Sequence, residues 1–212
     1  MKNFEMNRKL EKKRVAIFVS GSGTNMENIT RRIKAGELLC EIALIVCDNP
    51  KAYALMRAAS LGLETFVIER GNFKSRAEFD AKITEKLKEK KTEAILLAGF
   101  MRVLSPEFVR VWRWRILNIH PSLLPKYPGV SAIGDAFRAR EEETGVTVHF
   151  VDEGIDTGPI ILQRKVPIKL TDTLEMLETR VHAMEYELYP EAIRLFLSEK
   201  LIVEDSKVKI VQ

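Results

Sequence analysis

An asparagine and a histidine stand two residues apart where an apolar run meets a proline. Arg115 to Pro128 reads R-I-L-N-I-H-P-S-L-L-P-K-Y-P. Residues two apart on a strand point to the same face, so Asn118 and His120 lie side by side. Pro121 has no N–H for a sheet and biases the preceding residue away from helix, so the strand stops at His120 and the chain turns. On a parallel strand this is the C-terminal end, the edge where open α/β sheets place ligands. A carboxamide beside an imidazole makes this edge a candidate site; a polar strand end that caps the sheet is the alternative.

Two loops add chemistry of their own. Ser20-Gly21-Ser22-Gly23-Thr24-Asn25 joins an apolar run to a helical pattern. Glycines admit close backbone approach, and a helix N-terminus offers free N–H groups and a partial positive charge to an anion. No Gly-Lys-Ser/Thr follows, which excludes the nucleotide-binding P-loop, and Met26 stands where the dinucleotide fingerprint needs its third glycine. A phosphate monoester is the best-matched ligand, against a tight turn with no ligand. Asp152-Glu153-Gly154-Ile155-Asp156-Thr157-Gly158-Pro159 is rich in turn formers, which explain themselves. Asp156 nonetheless offers a carboxylate that could reach the His120 edge, raise the imidazole pKa and relay a proton.

The three histidines are His120, His149 and His182. His149, inside T-V-H-F-V, reads as a structural strand histidine. His182 and Glu185 share a helix face and read equally as substrate contacts or as solvated surface. No cluster has metal-ligand spacing. Trp112 and Trp114, in W-R-W-R, read as packing with snorkelling arginines rather than nucleic-acid stacking.

These groups need a scaffold, and the hydrophobic pattern supplies one. Buried strands are expected at Arg14–Ser20, Glu41–Asp48, Glu64–Ile68, Ala94–Ala98 and the run ending on His120. Helices are expected at Asn25–Ala35, Tyr53–Leu61 and Arg76–Lys91, and from Pro106, with Ser105 as N-cap. Strands alternating with helices predict right-handed βαβ units: an α/β fold with a mostly parallel twisted sheet and helices on both faces. After Pro128 the rhythm changes. A helix near Ile133–Glu143 precedes two strands, Val146–Val151 and Pro159–Pro167, which should pair antiparallel. Thr173–Ser198 reads as a long amphipathic helix broken near Pro190, and the tail after Glu199 as a short strand or a disordered segment.

The chain has 212 residues, of which 46% are hydrophobic and 30% charged, as in an ordinary soluble globular protein. It reads as residues 1–13, a charged N-terminal extension; 14–202, one domain; and 203–212, a C-terminal tail. Net charge is +4, from 34 basic and 30 acidic residues. That excess permits an anionic small substrate and is poor evidence for nucleic-acid binding. Cys40 and Cys47 read as reduced and buried, which fits a cytoplasmic protein. No apolar run reaches the roughly 20 residues of a membrane span, and the charged N-terminus lacks the apolar core of a signal peptide.

N-I-H-P-S-L-L-P (118 to 125), followed by Gly129, resembles the signature of formyltransferases that use 10-formyltetrahydrofolate, and D-E-G-I-D-T-G-P (152 to 159) is similar to that family's aspartate loop. With S-G-S-G-T-N and A-G-F-M-R-V-L-S-P (98 to 106), the likeness runs from about Val15 to Leu201 and is strongest to the glycinamide ribonucleotide branch of purine synthesis. The histidine motif alone is shared with methionyl-tRNA formyltransferase and formyltetrahydrofolate hydrolase, which carry a further domain. The resemblance implies a Rossmann-like formyltransferase fold and transfer of a formyl group from 10-formyltetrahydrofolate, as co-substrate, to the amine of glycinamide ribonucleotide. It implies Asn118, His120 and Asp156 as the catalytic trio, with no metal and no covalent enzyme intermediate. Gly23, Thr24, Asn25 and His182, Ala183, Met184, Glu185 match positions that hold glycinamide ribonucleotide. Arg76, Met101, Arg102, Val103, Leu104, Asn118 and Asp152, Glu153, Gly154, Ile155, Asp156 match folate-binding positions. The implied protein is a monomer or homodimer with no nucleic-acid or membrane partner. A formyltetrahydrofolate hydrolase and a non-catalytic phosphometabolite-binding module are the alternatives. This chain departs from the family pattern in lacking a histidine near Val130 or Ser131.

Overall fold

A computed structural model describes residues 12–211, so the expected N-terminal extension lies largely outside the described residues. The chain runs β1 (Lys13–Val19), α1 (Thr24–Lys34), β2 (Cys40–Cys47), α2 (Tyr53–Ser60), β3 (Thr65–Val67), α3 (Arg76–Glu89), β4 (Ala94–Leu97), α4 (Pro106–Val111) and β5 (Ile116–His120). It continues through α5 (Ala132–Arg138), β6 (Glu143–Phe150), β7 (Ile160–Pro167), α6 (Leu174–Leu197), β8 (Leu201–Glu204) and β9 (Lys207–Ile210). One seven-stranded sheet has the order β3-β2-β1-β4-β5-β6-β7. Its first five strands are parallel, and β6 pairs antiparallel with both β5 and β7.

Strand alternation divides the core. Val15, Ile17 and Val19 of β1 face one layer with Met26 and Ile29 of α1 and Leu177, Val181 and Leu188 of α6. Ala16 and Phe18 face the other, with Phe79, Ile83 and Leu87 of α3 and Phe108 of α4. Burying these apolar faces on both sides is what a parallel sheet requires. Tyr189 crosses into the sheet from α6: its buried hydroxyl lies 2.9 Å from the Leu97 carbonyl and 3.0 Å from that of Leu117, tying α6 to the adjacent strands β4 and β5. The strand order reverses between β1 and β4. Their carboxyl ends therefore open a crevice at the topological switch point.

Some elements differ from the sequence reading. The helix expected to run to Glu143 ends at Arg138, and β6 begins at Glu143 rather than Val146. Arg140 adopts a left-handed φ of 54°, its N–H and that of Glu141 bond back to Phe137 and Ala136, and Glu143 to Gly145 pair with β7. Strand pairing thus overrides the helical preference of the glutamates. The helix expected to break near Pro190 runs unbroken from Leu174 to Leu197. Pro190 cannot donate to the Tyr186 carbonyl four residues earlier. Asn28 of α1 does so instead, its Nδ2 lying 2.9 Å from that oxygen, so the orphaned acceptor is satisfied. The tail after Glu199 forms an antiparallel hairpin, β8 with β9.

Candidate active site

Four polar side chains converge where β5 ends. Asn118 and His120 occupy its last turn of pleat, and the antiparallel register sets His149 of β6 directly opposite Asn118. Asp156 arrives from the loop between β6 and β7. Its Oδ2 is 3.4 Å from His120 Nδ1, and its Oδ1 is 3.5 Å from His149 Nε2 and 3.3 Å from Asn118 Nδ2. Asn118 Nδ2 also lies 3.2 Å from His149 Nε2. His120 is 4% exposed and His149 1%, so these contacts are made largely out of water.

The ring nitrogens divide their work. His120 Nε2 donates to the Tyr127 carbonyl at 2.8 Å, leaving Nδ1 to face Asp156. His149 Nδ1 donates to the Phe150 carbonyl at 2.8 Å, which leaves a bare Nε2 to accept an Asn118 amide proton. These proton positions follow from the hydrogen-bond partners. Asp156 has a φ of 54°, an uncommon backbone state that an aspartate tolerates and that aims its carboxylate into the crevice. Burial pushes the Asp156 carboxyl up, but the His149 ring beside it, the Gly129 N–H at 2.8 Å and the His120 ring outweigh it and hold the group below its ordinary value. It is a carboxylate at neutral pH, and the Gly129 contact fastens the loop after Pro128 to it.

The glycine turn forms the opposite wall. Gly23 is the N-cap of α1, with φ 76° and no side-chain cap. A Cβ there would stand 2.7 Å from the Ala54 side chain, so only glycine fits. Beside the turn, Asn25 Nδ2 donates to Glu185 Oε2 at 2.9 Å, and His182 Nδ1 lies 3.0 Å from the same oxygen. Asn25 Oδ1 is buried without a partner among the described residues. The Glu185 hydrogen bond raises the His182 pKa above its ordinary 6.5, against burial, with Glu178 adding to the pull. A raised value means that the stabilisation is complete below pH 6.5 and is lost as pH climbs through the folded-state pKa. An NMR titration should therefore place the His182 midpoint above 6.5 and Glu185→Gln should lower it; a wild-type midpoint at or below that value contradicts the ion pair.

One cavity of about 630 Å³ joins these parts. It takes in Gly23, Thr24 and Asn25 from the turn, Met101 to Leu104 from the loop after β4, and Asn118 and His120 from β5. Asp152, Gly154, Ile155 and Asp156 from the β6–β7 loop, and His182 and Glu185 from α6, complete the expected residues in its wall. Met101, Val103 and Ile155 stay exposed at its mouth, and Arg102 Nε is fixed at 2.6 Å from Asp48. Arg76, Glu153, Ala183 and Met184 do not line it. Arg76 is exposed at the start of α3, and Glu153 points toward Arg110 at 3.9 Å. Helical geometry puts 182 and 185 on one face and turns 183 and 184 away, Met184 into the core. His149, which the sequence reading took as structural, and Glu178 do line the cavity. His149 was findable only through the pairing of β5 with β6.

A profile of the formyl transferase family matches residues 13–193. The phosphoribosylglycinamide formyltransferase of Bacillus subtilis (strain 168) is 43% identical over 185 residues, which cover 87% of this chain and 95% of that protein. The crystal structure of glycinamide ribonucleotide transformylase 1 from Symbiobacterium toebii superposes with a TM-score of 0.92 at 39% identity, covering 95% of each chain. That of glycinamide ribonucleotide transformylase 1 from Geobacillus kaustophilus gives 0.85 at 48% identity, covering 88% of this chain and 99% of the other.

Proposed function

This chain belongs to the formyl transferase family, and on that premise we propose that it moves the formyl group of 10-formyltetrahydrofolate to the primary amine of glycinamide ribonucleotide, a step of purine synthesis. The observation that carries the reading is the convergence of Asn118, His120 and Asp156 in the same cavity as an anion-ready glycine turn. The turn would hold the phosphate of glycinamide ribonucleotide, with His182 and Glu185 beside it. Met101 to Leu104 and the Asp152–Asp156 loop would hold the folate. The two substrates then meet at the end of β5.

The amine nitrogen attacks the formyl carbon, and the carbonyl electron pair moves onto oxygen. Asn118 donates an amide N–H to that oxygen, and a proton on His120 Nδ1 supplies a second donor. Asp156 orients His120 and carries a proton, through water, from the attacking nitrogen to the departing folate nitrogen. The bond between carbon and that nitrogen then breaks and the carbonyl re-forms, so atoms and charge balance. A protein that does this should release tetrahydrofolate from 10-formyltetrahydrofolate only when glycinamide ribonucleotide is present. Release at the same rate without the amine would identify a hydrolase instead, and no release under either condition would leave a binding module.

A further inference from the structure

We propose that Arg57, outside the cavity on α2, is a positioning residue for the phosphate-binding turn: it holds the Ser22 peptide so that the turn's N–H groups face the substrate. The inference rests on the reading that the turn binds the substrate phosphate and goes beyond it by assigning what sets the turn's polarity.

The hydrogen bonds of the turn sort by direction. The carbonyls of Ser20, Gly21, Ser22 and Gly23 are all taken by protein donors: Asn49 Nδ2 at 3.3 Å, the Ala54 N–H at 3.0 Å, Arg57 Nε at 3.0 Å and the Glu27 N–H at 3.0 Å. The N–H groups from Gly21 to Met26 find no acceptor among the described residues. A peptide whose oxygen is anchored on one side must present its N–H on the other, and such N–H groups are what an anion requires. Two of the four anchors come from α2, and Arg57 is the only charged one.

Arg57 has a second task. Glu27 lies in the first turn of α1, where a carboxylate favours the helix but repels a bound phosphate. Arg57 Nη1 bonds to Glu27 Oε2, and Arg31 takes Oε1 at 2.5 Å. The guanidinium thus spans the Ser22 carbonyl and the Glu27 carboxylate with one rigid fork, half-buried and stacked 5.0 Å from the Tyr53 ring centroid. A lysine in its place supplies one charge on a flexible stem and cannot span both.

The test compares glycinamide ribonucleotide with its unphosphorylated ribonucleoside as formyl acceptors. Arg57→Ala should raise KM for the phosphorylated acceptor on the order of tenfold or more, the scale of a lost hydrogen bond to a charged group. It should leave kcat, the folate KM and the use of the ribonucleoside within about twofold, so that preference for phosphate collapses while chemistry survives. Arg57→Lys should fall between wild type and Arg57→Ala in that preference, and it decides the matter alone where the alanine variant does not fold. Equal losses with both acceptors, or a lysine variant with full preference, overturn the positioning role. A wild-type enzyme with no preference for phosphate removes the phosphate reading itself, and the inference with it.

Discussion

Asp156→Asn is expected to lower kcat by between about a hundredfold and ten-thousandfold, the range of a general acid–base group, while both KM values stay near wild type. The substitution nearly preserves shape. One side-chain oxygen remains to accept the Gly129 N–H, now 2.8 Å from Oδ2, so the loop keeps its tie. The other position becomes an NH₂ donor that must face Asn118 Nδ2 and His149 Nε2, now 3.3 and 3.5 Å from Oδ1. Lost with the charge is the carrier for the amine's proton. Because the native carboxyl sits below its ordinary 3.8, its stabilising contribution is complete above that pH and is lost only as pH falls through the folded value. Asp156 is therefore ionised throughout the neutral range, and the variant should be slow at every pH there. Steady-state kinetics with both substrates varied checks this; near-normal turnover would remove Asp156 from the chemistry.

What the sequence discloses follows the range of the interaction. The strand end at Asn118 and His120, the helix start at Ser105-Pro106 and the turn at Ser20–Asn25 are each written within a few residues, and each stands in the structure where the pattern places it. Ser105 caps its helix by accepting from the Phe108 N–H. Asp156 apart, partners distant in sequence were not legible. His149 joins the cluster because it is paired across the sheet with Asn118, 31 residues away, and nothing in T-V-H-F-V announces that register. Pro190 signals a helix break by local rules, and only the amide of Asn28, from another helix, removes the reason for one. Arg57 gave no signal at all: an arginine within a short helical pattern acquires meaning when α2 packs beside the glycine turn. The gap between His120 and Asp156, set by two loops and a left-handed residue, closes to 3.4 Å only in three dimensions.

Asn118→Ala is expected to cost between about a hundredfold and a thousandfold in kcat, as for other side-chain donors to an oxyanion. Asn118 has two amide protons, and both have partners at long distances, Asp156 Oδ1 at 3.3 Å and His149 Nε2 at 3.2 Å. Weak bonds of this length hold the NH₂ end toward the cluster without making it expensive to redirect a proton to a developing oxyanion. His149 makes that orientation specific. Its Nδ1 proton is committed to the Phe150 carbonyl, so its Nε2 can only accept, and an amide turned the other way would set oxygen against a lone pair. Truncation to alanine removes the donor but not the strand, whose ladder is made by backbone groups. The loss should therefore fall on the transition state and spare ground-state binding of either substrate. Measured with a non-reactive folate carrying a tetrahedral hydroxylated carbon in place of the formyl group, the variant should lose affinity in proportion to its loss in kcat. A variant that turns over within about tenfold of wild type would mean that another donor holds the oxygen.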